Sequence, residues 1–429
     1  MSEGREAAFQ RVLDVAQAEG HIPTLVGGVL IEDELVWSGC SGARVDPANT
    51  QFRIGSITKS ITAVVVIRAV RDGLLDLGSR LAEVVPEAPF ADTLLADLLS
   101  HSGGVAAEPL GPWWERSEGG DFAALVAANL HARRLAEPGD LLLYSNLAFG
   151  LLGEAVSRVR RRPWWDLVRS EVLEPLGMTR TTLRPEPPRA IGYSVDHFRA
   201  TIHPEPDSFT GAMAPAGQLW STVSDLAKLA RFIINGHPDV LDAGWVARMA
   251  APHAPGGTYG WGFHLVPGGS GTLVGHTGTM PGFMAKVQVD RGRHTAAIVL
   301  ANATIGLAPN DVAGALLETA SAEPVRPVRP WEPTTDVPAA AEAMVGHWFW
   351  GHRLYEATWS MGELTLRSVR PDDELETFRL TDEGQWVDSL DVPLDVVRGE
   401  DGSVAYFHFD TYLFTRSAYD PESPVPGGR

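Results

Sequence analysis

Phe52-Arg53-Ile54-Gly55-Ser56-Ile57-Thr58-Lys59 is the stretch on which the reading of this chain turns. Ser56 follows a glycine and precedes a long apolar run, Ile61 to Val70, that closes on Asp72-Gly73. A serine opening such a run and a glycine closing it predict a helix with both ends marked. With Ser56 in the first turn, Lys59 falls three residues on, on the same face and one turn deeper. There the positive end of the helix dipole and an apolar roof both disfavour the ammonium and lower its pKa. A neutral lysine within reach of a serine hydroxyl is a general base beside a nucleophile. Lysine is also scarce: Lys59, Lys228 and Lys286 are the only ones in the chain. The same residues equally fit a plain N-cap serine and a lysine snorkelling to the surface, and spacing alone does not separate the two readings.

Outward from this helix, Glu6 to Ala18 carries apolar residues at helical spacing, and Thr24 to Ile31 and Glu34 to Ser38 read as a hairpin turning at Glu32-Asp33. Helical patterns follow at Leu94–Leu99, Phe122–Leu130, Leu147–Val159, Pro163–Leu173 and Val223–Ile234. Strand character returns at Gly260–Val266, Leu273–His276, Phe283–Val289 and Thr295–Ala301, before a helix over Asn310–Ala320. Strands at both ends of the segment and helices between them predict an α+β domain over residues 1–322. Its antiparallel sheet would be flanked by helices and joined to an all-helical lobe. The proline-rich stretch 323–338 reads as a stiff linker. Short alternating strands then fill 339–419 and predict a small β-barrel, with residues 420–429 as a disordered tail.

At 429 residues the chain exceeds one ordinary core, and a net charge of −19 with pI near 5.1 argues against nucleic acid or an anionic membrane as partner. The single cysteine, Cys40, excludes an internal disulfide and reads as a buried structural thiol. No basic-then-apolar leader opens the sequence and no apolar run matches a membrane span, so a cytoplasmic protein is expected. Walker and dinucleotide motifs are absent, and no cofactor is expected.

Two further stretches carry chemistry. Tyr144-Ser145-Asn146 leads from a short apolar segment into a helix, where loop residues are held on rigid supports. A phenol there can share a proton with a lysine, and Asn146 offers a donor and an acceptor to an amide; half-buried core and an N-cap explain the pair as well. Gly275-His276-Thr277-Gly278-Thr279 ends a strand between glycines, where an extended ligand's backbone can approach. His276 fits a satisfied strand histidine too, and no metal-ligand spacing surrounds it.

Taken in order, Ser-Ile-Thr-Lys, Tyr-Ser-Asn and His-Thr-Gly resemble the serine β-lactamase and penicillin-binding-protein superfamily, closest to its class C branch of D,D-carboxypeptidases, D-aminopeptidases, esterases and cyclising thioesterases. Leu98-Leu99-Ser100-His101-Ser102-Gly103-Gly104, the run from Tyr144 to Gly177 and Ala216–Leu226 carry the same resemblance, which covers about residues 7–320. It implies Ser56 as acylated nucleophile, Lys59 and Tyr144 as its catalytic base pair, and Asn146 as the residue orienting a substrate amide. It further implies an oxyanion hole from the Ser56 and Thr279 backbone N–H groups, and substrate binding along His276, Thr277, Gly278 and Thr279. The C-terminal barrel resembles a lipocalin-like domain. The family's Lys-Thr-Gly is His-Thr-Gly here, and a neutral imidazole holds a substrate carboxylate less firmly than an ammonium. The resemblance therefore implies a hydrolase of small esters or amides through an acyl-Ser56 rather than an efficient β-lactamase, with acyl transfer to an internal amine as the alternative. A silent ligand-binding protein on the same fold is the reading from outside catalysis. Oligomeric state is not legible in the sequence.

Overall fold

The computed structural model describes residues 3–268, 271–318, 331, 333–334, 336–360, 362–369, 375–409, 411–419 and 422. They divide into two compact units: one of residues 1–194 and 204–331, the other of 195–203 and 332–429. Most of the proline-rich stretch and the tail read from the sequence lies outside the described residues.

The first unit opens on helix α1 (Glu3–Gly20) and the hairpin of β1 (Thr24–Ile31) and β2 (Glu34–Gly42), whose turn residues Glu32 and Asp33 both adopt positive φ. Helix α2 (Ile57–Arg71) follows, then α3 (Asn146–Arg160) and α4 (Val223–Asn235). The chain returns to the sheet with β3 (His264–Gly268), β4 (Gly271–Met280), β5 (Phe283–Asp290) and β6 (Thr295–Ala301), and closes on α5 (Pro309–Leu317). The six strands lie in the order β2-β1-β6-β5-β4-β3, all antiparallel. N-terminal and late strands thus meet side by side, as the order of elements in the sequence predicts.

β1 is buried along nearly its whole length, whereas the edge strand β2 alternates. The layers above and below the central strands account for this difference: α1 and α5 pack with β1, β2, β5 and β6, and α4 packs with β1, β5 and β6. Cys40, at the far end of β2, is half-buried rather than buried, because an edge strand leaves one side of its backbone open. β4 runs four residues beyond His276, to Met280, pairing with β5 down to the Met280–Phe283 turn.

Helix α2 is the centre of the helical lobe. Every residue from Ile57 to Ile67 is buried, so the helix is enclosed on all sides rather than amphipathic. Its polar side chains are accounted for: Ser60 Oγ donates to Gly262 O at 2.7 Å and Thr62 Oγ1 to Pro215 O at 2.9 Å. Helix α3 packs along it. The apolar pattern over Pro163–Leu173 is helical as predicted, but Trp164–Val168 passes into a π-helical turn over Arg169–Leu173. Ala243–Met249 is a further helix, capped by Asp242, where the sequence reading placed none.

In the second unit, eight strands from Gly346 to Thr415 form one antiparallel sheet. Its outermost strands, Trp386–Val387 and Asp395–Arg398, are consecutive in the chain. The Val387–Pro393 bridge and the Leu394 N–H to Trp386 O bond (2.8 Å) tie the residues just before Asp395 to the first of these strands, and the sheet curls into a small β-barrel. Trp348, Trp359, Phe378, Phe407 and Phe414 fill it. Phe198, from the 195–203 excursion, packs on the same core and accepts the Trp359 N–H at 2.7 Å through its carbonyl. Among the described residues no helix is long and apolar enough to cross a membrane.

Candidate active site

The start of α2 lies against β4 because two glycines allow it. Gly55 has φ +50, and a Cβ placed there would sit 2.6 Å from Thr279 N; one at Gly278 would sit 1.9 Å from Ile54 O and 3.1 Å from Ser56 N. Only bare backbone fits at either point. The result is that the backbone around Ser56 and that around Thr279 lie in close contact.

Ser56 occupies the N-cap position of α2 in an αR conformation (φ −65, ψ −6) and makes no capping bond with its side chain. Its hydroxyl is free for other chemistry. Lys59, fully buried, places Nζ 2.8 Å from Ser56 Oγ, 2.6 Å from Asn146 Oδ1 and 2.7 Å from Ala216 O. Burial lowers its pKa to about 7, with Glu108 and then Glu115 opposing the shift. The two carbonyl oxygens can only accept, so they take two N–H bonds, and a neutral Lys59 turns its lone pair to the serine hydroxyl.

Asn146 is the first residue of α3, and Ser145 is the cap: its Oγ accepts from Ala148 N at 3.0 Å. Ser145 N–H donates to His101 Nδ1 at 3.0 Å, so the His101 proton sits on Nε2, which is buried without a partner. The His101 ring packs 4.2 Å, centroid to centroid, from Tyr144. Lys59 Nζ stands 5.0 Å from the Tyr144 ring centroid. The Tyr144 hydroxyl is buried and makes no hydrogen bond of good geometry, although the Ser56 hydroxyl beside it eases its ionisation. Burial above all, then the Glu108 and Glu115 charges, push its pKa well above the ordinary tyrosine value. In this state Tyr144 is a neutral phenol.

His276 is buried, with Nδ1 2.6 Å from Thr277 O and Nε2 2.8 Å from Tyr259 Oη. A carbonyl only accepts, so Nδ1 carries the proton and Nε2 accepts from Tyr259. Burial keeps the ring neutral by lowering its pKa well below that of an ordinary histidine. Both ring nitrogens are therefore engaged, and no cation stands at this point of the strand. His264 stacks on His276 at 4.1 Å with its pKa lowered to about 4, chiefly by burial. Thr277 and Thr279 alternate to the other face of β4 from His276 and Gly278. Across from Thr277, Lys286 is buried with Nζ 3.4 Å from Thr277 Oγ1, and burial lowers its pKa to about 8.

Sequence motifs thus lead to three segments that the fold joins. They do not lead to Glu108 and Glu115, on a Gly- and Pro-rich loop with no periodicity. Glu108 Oε1 accepts from Asn146 Nδ2 at 2.6 Å and Oε2 from Trp114 Nε1 at 2.7 Å. Glu115 Oε2 accepts from Trp113 Nε1 at 3.0 Å, and burial raises the Glu115 pKa. Arg53 was missed as well: it is fully buried and donates to Ser208 O (3.1 Å) and Gln218 Oε1 (3.2 Å). No group of three or more metal-ligating side chains occurs among the described residues.

A serine hydroxyl held against a buried amine of lowered pKa is the apparatus of acyl transfer to serine. The Beta-lactamase family matches residues 9–321, and the chain belongs to that family. Residues 337–416 match a separate domain of unknown function (DUF7586). Penicillin-binding protein 4 of Amycolatopsis lactamdurans is 26% identical over 329 residues, 69% of this chain and 85% of that protein. The D-alanyl-D-alanine-carboxypeptidase/endopeptidase AmpH of Escherichia coli K12 is 27% identical over 190 residues, 41% of this chain but only 47% of AmpH. The D-stereospecific amidohydrolase of a Streptomyces species superposes with a TM-score of 0.63 at 25% identity, over 73% of this chain and 97% of that one. The protein is a serine hydrolase of the β-lactamase and D,D-peptidase type.

Proposed function

We propose that the protein hydrolyses a small amide or ester through an acyl-Ser56 intermediate, with a D-configured residue on the acyl side. The observation that carries the proposal is the 2.8 Å approach of Lys59 Nζ to Ser56 Oγ, made by a fully buried amine whose pKa is about 7. The names of the D-stereospecific amidohydrolase and of the D-alanyl-D-alanine-carboxypeptidase AmpH support the D-configured substrate.

In this reading Lys59 takes the hydroxyl proton as Ser56 Oγ bonds to the scissile carbonyl carbon. The oxyanion forms between the Ser56 and Thr279 backbone N–H groups. Collapse breaks the bond to the leaving amine or alcohol, which needs a proton. Tyr144, kept as a phenol by its raised pKa, donates it and recovers one from the Lys59 ammonium. Water then attacks the ester, and the same pair of groups takes its proton and returns one to Ser56. His276 serves as a positioning residue, locking Tyr259 and the β4 backbone beside Tyr144. Hydrolysis is favoured over cyclisation because Trp113, one of the two loop indoles available to exclude water, is 57% exposed.

Intact mass after incubation with a reactive p-nitrophenyl ester tests the proposal. One acyl adduct on Ser56 is expected, and none in Ser56→Ala. Adduct formation at another residue, or an equal adduct in Ser56→Ala, contradicts it.

A further inference from the structure

We infer that Glu108, held by Trp114, is a positioning residue that fixes which end of the Asn146 amide faces Lys59, and so keeps the Lys59 lone pair on Ser56. The inference rests on the acyl-Ser56 reading and adds to it two residues that act through Asn146 without touching substrate. An amide side chain has two unlike ends, and turning it over exchanges an acceptor for a donor. Asn146 Oδ1 accepts from Lys59 Nζ at 2.6 Å, and Nδ2 donates to Glu108 Oε1 at 2.6 Å. A carboxylate only accepts, so Glu108 holds the NH2 end and leaves the carbonyl end to Lys59. With the amide turned over, two acceptors would meet at Glu108. At Lys59 the Asn146 NH2 would then compete with the Ser56 hydroxyl for the single lone pair, and the serine would lose its base.

Glu108 is itself held in place. The Asn146 backbone N–H donates to Ala107 O at 2.7 Å, which sets the register between this loop and the start of α3. The buried Trp114 donates from Nε1 to Glu108 Oε2 at 2.7 Å, so each carboxylate oxygen has its own donor. The indole also lies against Gly217: a Cβ there would stand 3.3 Å from Trp114 Cη2 and 3.8 Å from Gly55 C. Gly217 follows Ala216, whose carbonyl takes the other Lys59 N–H at 2.7 Å. Trp114 thus supports both acceptors that occupy Lys59, one by hydrogen bonds through Glu108 and one by packing.

Glu108 acts by its charge as well. Burial lowers the Lys59 pKa to about 7, and the largest opposing influence is Glu108, followed by Glu115. Removing the Glu108 carboxylate therefore moves the Lys59 titration to lower pH. The rings that face Lys59 do not titrate in that range. Burial keeps His101 and His276 well below the ordinary histidine value, puts His264 at about 4 and lifts Tyr144 well above the ordinary tyrosine value. Glu115 is common to every variant below.

The test is the pH dependence of Ser56 acylation by p-nitrophenyl butyrate, followed by intact mass in the full-length protein. The unmodified protein should bend near pH 7. In Glu108→Gln, whose own amide can turn over, the plateau rate should fall roughly tenfold or more. Its bend should move to lower pH by about half a unit or more. Glu108→Asp keeps the charge but shortens the reach, so its plateau should fall with the bend in place. Trp114→Phe keeps the ring and loses the indole N–H, and its plateau should fall several-fold. An unchanged plateau in Glu108→Gln overturns the inference wherever the bend lies. A fallen plateau with the bend unmoved, or moved to higher pH, marks a merely structural role and overturns it too. If Glu108→Gln does not fold, an unchanged plateau in Trp114→Phe overturns the inference. No bend in the unmodified protein removes the Lys59 base assignment and this inference together, whereas a bend there confines any failure to Glu108.

Discussion

Lys59 has three oxygen neighbours and, when neutral, only two N–H bonds to offer them. Asn146 Oδ1 and Ala216 O take those two, which leaves the lone pair to Ser56. Tyr144 is placed differently, with a hydroxyl that is buried beside Ser56 and hard to ionise. A proton donor to the leaving group suits it better than a resting phenolate. Tyr144→Phe should accordingly lower kcat on an amide by on the order of a hundredfold. On an activated ester such as p-nitrophenyl butyrate, whose leaving group needs no proton, the loss should be several-fold only. Equal losses on both substrates, measured side by side, contradict the donor role. At this scale the sequence marked Ser56, Lys59, Tyr144 and Asn146, which the fold brings together, since each lies in a short motif with its own spacing. Glu108 and Arg53 were not legible. Glu108 reaches Asn146 across 38 positions of chain, and the burial of Arg53 follows from tertiary contacts no local pattern encodes.

The approach of α2 to β4 is governed by backbone alone. A Cβ at Gly278 would stand 1.9 Å from Ile54 O, so Gly278→Ala must push the start of α2 away from the strand. It should cost about 2 kcal/mol or more of stability, as overpacking does. The rate of Ser56 acylation should fall at least about tenfold from the displaced oxyanion donors. A variant with unchanged melting temperature and acylation rate would refute this account of the contact. On the neighbouring strand, Lys286 is a buried amine whose hydrogen bond is a long one to Thr277. Its folded pKa of about 8 lies below the unfolded value. Between the two values the unfolded chain binds the extra proton, so stability rises with pH through that window. Lys286→Met should then be more stable by about 1–3 kcal/mol below pH 8, with the gain vanishing above about pH 10. Denaturant unfolding at both ends of the window decides it, and a destabilised variant at pH 7 contradicts it. Element positions were largely legible: β1 and β6 begin and end where their patterns do, because long buried apolar runs bounded by turns leave little freedom. Ala243–Met249 and the two-residue strand Trp386–Val387 were not legible, being too short for a period to show.

At the scale of the whole molecule, the described residues place one hydrophobic core around α2 and the sheet and a separate one inside the C-terminal barrel. Separate cores make independent unfolding the default. Trp348→Ala, emptying the centre of the barrel, should destabilise that unit by about 3–5 kcal/mol. Calorimetry should then resolve an early transition while Ser56 acylation persists through it. Simultaneous loss of both contradicts independence. The division into α+β and all-β portions was visible in the pattern of elements, whereas the assignment of residues 195–203 to the second unit was not. That excursion is brief and of mixed composition, and it is tied to its unit by Phe198 on the barrel core, by the Arg199–Glu342 pair at 2.7 Å and by the Thr334 N–H to Ala200 O bond at 2.8 Å.

The claim beneath all of this is that Ser56 is made reactive by an uncharged Lys59. The pH dependence of the second-order rate of Ser56 acylation by an uncharged ester, followed by intact mass, tests it most directly. The rate should climb tenfold per pH unit on the acid side, bend near pH 7 and remain flat above, matching the loss of one proton from Lys59. A rate independent of pH from 5 to 9, or a bend that survives unchanged in Lys59→Met, would contradict the account.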